Sequence, residues 1–260
     1  MCIRDSVKGF QGNDLSKNNT ILACAKHFVG YGAAQAGRDY HTVNMGQDEL
    51  RNVYLPPFRA AVEAGVETFM TAFNELNGVP ATGNEFIFRD ILRDEWGFKG
   101  FVVTDYTAIN ELVPHGFAEN EKHATEIAIK AGVDLDMMSG ANRLYLEKLV
   151  SEGKVDVSLV NDACRRILVA KFKLGLFDDP YRYFDEQREI ETIYKTEYLE
   201  SARKSAAISS VLLKNNDNTL PLDKNQTIAL IGPLVKDKEH IIGNWACLLY
   251  TSDAADEVVS

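Results

Sequence analysis

The sequence predicts an α/β fold in which short buried strands alternate with amphipathic helices. Four apolar runs of strand length recur along the chain, and helical segments that stop at or near a glycine separate them. The runs are apolar along their whole length, which is typical of parallel strands that helices cover on both faces. Four strands cannot close a (β/α)8 barrel, so we predict the second half of such a TIM-like barrel.

Each predicted element rests on a local signal. The strands are indicated by β-forming residues between turn signals, and the helices by apolar positions three or four residues apart. Pro56 and Pro57 lie inside one helical segment and are expected to kink or split it, because proline has no N–H to donate. The predicted strands cover 21–28, 66–73, 100–103 and 133–138, and the predicted helices cover 47–64, 85–96, 121–131, 142–152 and 157–174.

A second unit is predicted to follow the barrel segment. From 178 to 196 the chain is rich in Asp, Glu and Tyr without clear periodicity, which indicates a linker. A helix at 198–209 and strands at 210–214 and 227–231 then predict the start of another α/β domain. The predicted division is a barrel segment at 7–177, a linker at 178–196 and a truncated second domain at 197–246.

Both ends of the chain carry peptides that we interpret as foreign to the fold. Met1–Ser6 and the stretch that begins at Cys247 can be encoded by the two strands of one DNA element, as expected for a sequencing-library adapter translated as protein. We therefore exclude 1–6 and 247–260 from the fold prediction, and we expect the gene to continue in both directions. The competing interpretation is coincidence.

The composition limits the classes of partner. The formal net charge of −10 disfavours a nucleic acid or an anionic membrane surface. No apolar run reaches the length of a transmembrane helix. Outside the two suspect ends the cysteines are Cys24 and Cys164, which form neither a disulfide framework nor a metal-binding spacing.

Polar side chains follow the carboxyl ends of the predicted strands. Lys26 and His27 end the first strand, Asn74 follows the second, and Asp105 follows the third. In a (β/α)8 barrel this edge carries the chemistry. The alternative for Asp105 is an ordinary helix N-cap, and for the Lys-His pair a surface feature at the end of a strand.

Seven motifs occur in order between the two ends. They are Ala25–Phe28, Gly37–Tyr40, Tyr54–Phe58, Asn77–Pro80, Glu95–Gly100, Val102–Tyr106 and Leu174–Phe177. In this order they resemble glycoside hydrolase family 3, particularly its bacterial β-glucosidase branch. A later run, 211–215 followed by 220–222, resembles the start of the family's second domain, an α/β sandwich.

The resemblance implies a retaining β-glycosidase with Asp105 as its nucleophile. Such enzymes attack the sugar with one carboxylate and pass through a covalent glycosyl-enzyme, so two carboxyl groups suffice and no cofactor is implied. The substrate is expected to be a β-linked gluco-oligosaccharide or aryl glucoside, cleaved from its non-reducing end. An exported, periplasmic or secreted location is also implied, whereas the oligomeric state is not.

The same resemblance assigns further residues to the substrate site. A Lys ammonium and an imidazole offer donors to sugar hydroxyls, which is the role expected of Lys26 and His27. The remaining candidates lie in the following loop, in the second strand or beside the nucleophile, and are Arg38, Asp39, Met70, Phe73 and Tyr106. A structural ion pair explains the two loop charges equally well, and core packing explains the two strand residues.

The acid/base partner is expected outside this chain. The resemblance places that carboxyl group in the second domain, beyond the point where the chain ends. Glu111 lies six residues after Asp105, but a place at a helix start explains it without catalysis. This chain alone is therefore expected to be inactive and, as half a barrel, prone to aggregate.

Three alternatives stay open. A β-xylosidase specificity is the nearest, because much of the selecting pocket lies outside the chain. An N-acetylglucosaminidase of the same family would use an Asp–His dyad, for which Asp39 and His41 are candidates, but the loop at 29–32 reads Val-Gly-Tyr-Gly rather than that branch's Pro-Gly-His-Gly. The third alternative is a sugar-binding relative without catalysis.

Overall fold

The computed structural model describes residues 2–237, which divide into two compact units between Ile190 and Glu191. This boundary falls inside the stretch predicted as a linker. The strands are β1 (Cys24–Phe28), β2 (Thr68–Thr71), β3 (Glu75–Leu76), β4 (Val79–Pro80) and β5 (Phe101–Val103). The α-helices are α1 (Cys2–Gln11), α2 (Gln47–Glu49), α3 (Leu55–Glu63), α4 (Ala108–Glu111), α5 (Glu121–Ala131), α6 (Ala141–Ser151), α7 (Val157–Lys173), α8 (Glu186–Thr192) and α9 (Thr196–Ser209).

The first unit is built on a parallel sheet, which confirms the α/β prediction. Its three strands lie in the order β1, β2, β5, and each neighbouring pair is parallel. Thr68 of β2 pairs with Cys24 on one side and with Phe101 on the other. Parallel strands need a long connection that crosses back over the sheet, which the helices between them provide. A short antiparallel pair, β3 with β4, lies beyond the end of β2.

Aromatic side chains form the centre of the core. Phe28, Phe69 and Phe88 are fully buried. The ring centroid of Phe28 lies 5.2 Å from that of Phe69 and 5.8 Å from that of Phe88. Burial of one such side chain contributes about 1.5–3 kcal/mol. Phe28 lies in β1 and Phe69 lies in β2. The packing of these two rings therefore fixes the two strands relative to each other.

The two prolines do not split their helix, which runs without a break from 47 to 63 and changes type just before them. The segment begins as α2, widens into a π-helical turn at Leu50–Tyr54 and continues as α3. Pro56 and Pro57 occupy the first turn of α3, directly after the wider π-helical turn. A second π-helix, Phe86–Glu95, stands where the sequence predicted a helix at 85–96. The helices predicted at 121–131, 142–152 and 157–174 are confirmed as α5, α6 and α7.

The strand predicted at 133–138 is wrong as a regular strand. Only an isolated parallel bridge joins Leu135 to Val103. The N–H groups of Asp134 and Leu135 both donate to the carbonyl of Val102, and that of Met137 donates to the side-chain hydroxyl of Thr104. A regular parallel ladder needs one carbonyl for each N–H. Here two N–H groups share one carbonyl and a third bonds to a side chain, so the hydrogen-bond ladder between this segment and β5 is interrupted.

The second unit departs further from its prediction. Its helix is confirmed as α9, but 210–214 and 227–231 form no strand. A strand needs a hydrogen-bonded neighbour, and Leu213 and Ile231 are instead 91% and 92% exposed. The predicted linker also contains a helix, α8, because the Asp185 side chain accepts from the N–H of Arg188 in its first turn.

Of the two predicted adapter peptides, the structure describes only the first. Residues 2–6 belong to α1, whose Val7 and Gln11 are buried, and their origin as adapter stays a prediction. The other peptide, 247–260, lies outside the described residues. Among the described residues, no helix is both long enough and apolar enough to cross a membrane.

Candidate active site

The carboxyl ends of β1, β2 and β5 meet at one edge of the parallel sheet, which we call the carboxyl edge. His27 lies in β1, and Asp105 lies two residues after the end of β5. The imidazole Nε2 of His27 is 3.2 Å from Oδ2 of Asp105, with the two side chains 26% and 14% exposed. Residues far apart in sequence are therefore in contact at this edge, and the carboxylate still faces solvent.

Asp105 is held by its neighbours rather than capping a helix. Its Oδ1 accepts from the N–H of Tyr106 at 2.7 Å, and its own N–H donates to the hydroxyl of Thr71 at 3.2 Å. Helix α4 begins at Ala108 and is preceded by Thr107, which has a left-handed φ of 57° and no side-chain cap. The helix N-cap alternative for Asp105 is therefore wrong, and the side chain is free to face the carboxyl edge.

The pKa of His27 is set by opposing effects of its surroundings. Burial lowers the pKa of His27, and the nearby Lys26 ammonium lowers it further, while the carboxylates of Asp105 and Asp39 oppose both effects. The imidazole is therefore neutral at neutral pH and has one N–H to donate. Its ring also lies edge-on to Tyr31, with centroids 5.1 Å apart. Lys26 itself is exposed in the middle of β1.

The loop after β1 brings Asp39 towards the site. Oδ1 of Asp39 accepts from the hydroxyl of Tyr31 and, at 3.0 Å, from the N–H of Tyr40. Burial and this hydrogen bond raise the pKa of Tyr31. Within residues 2–237, Asp39 forms no ion pair with Arg38 and no hydrogen bond with His41. The structural ion pair predicted as an alternative for Arg38 and Asp39 is thus not formed, and Arg38 is exposed.

Aromatic rings line the same side of the carboxyl edge. The centroid of Phe73 is 4.5 Å from that of Tyr40 and 6.2 Å from that of Tyr31. Tyr106 is 56% exposed beside the carboxylate. Met70 is half-buried in β2 and pairs with Val103, without a described contact to Asp105. The site thus combines a carboxylate, an imidazole and an aromatic wall.

Glu111 belongs to the electrostatic surroundings of Asp105. Burial raises the pKa of Glu111, His115 opposes that effect, and the charges of Asp105 and Asp39 raise it further. Burial likewise raises the pKa of Tyr40, with Glu111, Asp39 and Asp105 adding to the effect. Among the described residues, no group of three His, Cys, Asp or Glu side chains is placed to hold a metal ion.

Three residues of this site are absent from the sequence prediction. Tyr31 and Tyr40 flank Asp39, and a signal for them existed, because both lie within the glycine-rich loop that follows Lys26 and His27. Thr71 carried no such signal, because a threonine within a strand is ordinary.

Comparison with known proteins identifies relatives over most of the chain. Residues 2–170 match the family profile described as the glycosyl hydrolase family 3 N terminal domain. The periplasmic beta-glucosidase of Salmonella typhimurium is 41% identical over 243 residues, which are 92% of this chain and 32% of that protein. A beta-xylosidase of Formosa agariphila is 38% identical over 255 residues, which are 93% of this chain and 35% of that protein.

Solved structures are also similar over most of the chain. A mutant beta-glucosidase of Listeria innocua, determined in complex with laminaribiose, matches with a TM-score of 0.78 at 42% identity. The match covers 85% of this chain and 31% of that one. The chain therefore spans about a third of the length of these relatives, whose shares are 32%, 35% and 31%.

Proposed function

Because this chain belongs to glycosyl hydrolase family 3, we propose that it carries the nucleophile of a retaining, exo-acting β-glucosidase. Asp105 is the proposed nucleophile. The observation that carries the proposal is the contact between His27 and Asp105, 3.2 Å apart at the carboxyl edge of the sheet. This contact places a carboxylate beside an imidazole, a group that can hydrogen-bond to a sugar hydroxyl. Both residues lie at the rigid ends of strands.

The reaction proceeds in two displacements. An oxygen of Asp105 forms a bond to the anomeric carbon of the sugar as the glycosidic bond breaks, and the departing oxygen takes a proton from an acid. Water then attacks the same carbon, gives its proton to that residue and releases Asp105 as a carboxylate. Two inversions leave the β configuration unchanged.

His27 and Lys26 are proposed to bind sugar hydroxyls. The lowered pKa of His27 keeps the imidazole neutral, so one ring nitrogen donates an N–H and the other accepts a hydrogen bond. The neutral ring carries no charge that would weaken Asp105 as a nucleophile. Lys26 adds a cationic donor one residue earlier in the same strand. Arg38, Asp39, Met70, Phe73 and Tyr106 are proposed to complete the substrate site.

The acid is proposed to lie outside this chain. The two carboxyl groups of a retaining enzyme stand ~5–5.5 Å apart. The charge of Asp105 raises the pKa of Glu111, so the two carboxyl groups lie near each other. Glu111 lies at the end of α4, and we do not propose it as the acid. Since the chain spans 32% of the length of the Salmonella relative, most of the enzyme is available to supply the acid.

The fold supports a finer proposal about architecture. We propose that 7–177 is the second half of a TIM-like (β/α)8 barrel and that 197–246 begins an α/β sandwich. The parallel order β1, β2, β5 with helices between the strands suits a barrel segment. The chain spans 32% of the length of the Salmonella relative, which suits a part of a larger architecture. A periplasmic location is proposed by similarity to the Salmonella protein.

The proposed substrate is a terminal β-D-glucosyl residue. The Listeria relative was determined in complex with laminaribiose, a disaccharide of glucose. The second candidate is a β-xyloside, because a Formosa relative of 38% identity is a beta-xylosidase. The N-acetylglucosaminidase alternative is less well supported, because Asp39 is already hydrogen-bonded to Tyr31 and not to His41.

A covalent trap tests the nucleophile and the sugar together. The protein, extended to the length of its relatives, is incubated with a 2-deoxy-2-fluoro-β-glucoside that has a good leaving group, then digested and analysed by mass spectrometry. We expect the fluoroglucosyl mass on the peptide that contains Asp105. The matching 2-deoxy-2-fluoro-β-xyloside, run in parallel, tests the second candidate.

Two variants make the outcome specific. Asp105→Asn keeps the size of the side chain but removes the nucleophile, so we expect no adduct and at least a thousandfold lower kcat, on the order of a lost covalent step. Asp94→Asn changes an exposed carboxylate in the π-helix 86–95 and is expected to label normally. An adduct on another residue, or full activity in Asp105→Asn, contradicts the proposal.

A further inference from the structure

The N–H of Asp105 is hydrogen-bonded to a buried hydroxyl. Oγ1 of Thr71 accepts this N–H at 3.2 Å, and the hydroxyl of Thr82 lies 3.0 Å from the same oxygen. Thr71 and Thr82 are 0% and 2% exposed. We infer that Thr71 is a positioning residue for the nucleophile, an inference that rests on the proposed function. It holds the backbone of Asp105 and does not touch the substrate.

The position of Thr71 in the sheet explains why a hydroxyl is needed there. The paired register of β2 and β5 ends with Met70 opposite Val103. Asp105 lies beyond that point, so its N–H has no ladder carbonyl to reach. The N–H is part-buried, and a fully buried N–H without a partner costs about 1–3 kcal/mol, so a partner here is favourable. The Thr71 side chain replaces the missing carbonyl and extends the link between the two strands to the nucleophile.

Thr82 anchors this link to a second element. It lies in the 3₁₀ turn Ala81–Gly83, whose three residues are buried. A Cβ atom on Gly83 would lie 2.8 Å from the side chain of Ile127 in α5, so the turn packs tightly on that helix. Because Thr82 sits in a turn that cannot shift easily, its hydrogen bond fixes the rotamer of Thr71.

The other side of the nucleophile is held separately. Thr104 donates its N–H to the carbonyl of Leu135 at 2.9 Å, and its hydroxyl accepts from the N–H of Met137 at 2.8 Å. Residue 104 is thus fixed towards 135–137 and residue 105 towards β2. Loss of the Thr71 hydroxyl removes the hydrogen bond from the N–H of Asp105 to β2, which allows the backbone beneath the carboxylate to move. A misplacement of about 1 Å can slow catalysis about a hundredfold.

A threonine in the same strand provides the matched control. Thr68 is 5% exposed, and its hydroxyl donates to the carbonyl of Ala23 at 2.9 Å. It lies at the amino end of β2, opposite the carboxyl edge. Thr68→Val therefore removes one buried hydrogen bond from β2 without removing a contact of Asp105.

The test measures how fast the nucleophile reacts. The limiting rate constant and the apparent dissociation constant for the 2-deoxy-2-fluoro-β-glucoside are determined for the protein extended to the length of its relatives. For Thr71→Val we expect the rate constant to fall about tenfold, with the dissociation constant within twofold, because only the reacting carboxylate is displaced. Thr71→Ser restores the hydroxyl and should stay within threefold. Thr68→Val should stay within twofold.

Each outcome decides the inference. Equal rate constants for Thr71→Val and the unchanged protein overturn it, and so does an equal fall in Thr68→Val. If Thr71→Val does not fold, the pair Thr71→Ser and Thr71→Ala, which differ only by the hydroxyl, must show the same tenfold difference. If the unchanged protein forms no adduct on Asp105, the proposed function fails and the inference fails with it.

Discussion

His27 shows how one residue depends on the charges around it. Burial and the Lys26 ammonium lower its pKa, whereas Asp105 and Asp39 raise it. Lys26 lies in β1, Asp105 follows β5 and Asp39 lies in the loop after β1. The pKa of His27 therefore reports whether these three segments are together at the site. It also decides whether the imidazole is a neutral donor or a cation beside the nucleophile.

Substitutions of the two neighbours are expected to move the His27 pKa in opposite directions. Lys26→Met removes a positive charge and should raise the pKa towards 6.5, while Asp105→Asn removes a negative charge and should lower it further. NMR titration of the imidazole resonances measures both. A shift in the same direction for both variants contradicts this description of the site.

The same lowered pKa predicts an acid dependence of stability. As the pH falls from 6.5, His27 in the unfolded chain binds protons that the folded one does not, so the free energy of unfolding decreases until the folded pKa is passed. His27→Gln should reduce this decrease. Denaturant unfolding at a series of pH values checks it, and an unchanged pH profile in His27→Gln argues against the lowered pKa.

At the scale of elements, one carboxylate joins three segments beneath the site. Asp134 pairs with Arg93 of the π-helix 86–95 and with Arg166 of α7, each at 2.7 Å, and it also accepts from the N–H of Val102 in β5 at 2.8 Å. Its side chain is 2% exposed. Burial lowers the pKa of Arg93 to about 10, so the guanidinium is still charged at neutral pH.

Removal of this carboxylate is expected to destabilise the first unit strongly. Asp134→Ala removes the buried carboxylate that Arg93 and Arg166 share, so we expect a loss of about 3–5 kcal/mol. The exposed pair of Arg51 with Glu95, where both side chains are 41% exposed, provides the comparison, and Glu95→Gln should lose less than about 1 kcal/mol. Urea unfolding measures both. Similar losses in the two variants would show that burial does not control the effect.

A close backbone approach fixes the start of β5. A Cβ atom on Gly100 would lie 2.0 Å from the carbonyl oxygen of Glu67, a backbone atom that cannot rotate away. Gly100→Ala must therefore separate β5 from the segment before β2, and we expect a loss of about 1–3 kcal/mol. Gly46→Ala is the control, since a Cβ there meets nothing within 4 Å. Thermal unfolding that is lowered equally in both variants argues against this contact.

At the scale of the whole molecule, the first unit exposes apolar surface on its longest helix. On α7, Leu168, Val169 and Phe172 are 45%, 45% and 74% exposed. Among the described residues, β1 pairs with a strand on one side only. Exposed apolar faces and open strand edges promote association.

The 260-residue chain by itself is therefore expected to aggregate and to be inactive. Light scattering after size-exclusion chromatography measures its mass, and an aryl β-glucoside measures its activity. The protein extended to the length of its relatives is the control and should elute as a defined species that cleaves the glucoside. A monomeric short chain that unfolds cooperatively and cleaves the substrate refutes the half-barrel proposal.

The local elements were largely determined by the sequence. Glycine after an amphipathic stretch predicted the end of α5, because Gly132 adopts a φ of 109° that few other residues tolerate. Pro56 and Pro57 indicated an irregular helix, because proline cannot donate a hydrogen bond, and the helix changes type just before them. The order of motifs around Lys26, His27 and Asp105 indicated the family. These signals are local in the chain, so the sequence carries them directly.

Only the tertiary structure decided what depends on distant partners. The segment at 133–138 does not form a strand, because Thr104 offers a side-chain hydroxyl where a carbonyl was needed. The contact of His27 with Asp105 and the hydroxyl of Thr71 beneath the nucleophile join residues 78 and 34 positions apart, respectively. Such contacts depend on the register of neighbouring strands, and that register is set by packing of the whole sheet rather than by either segment alone.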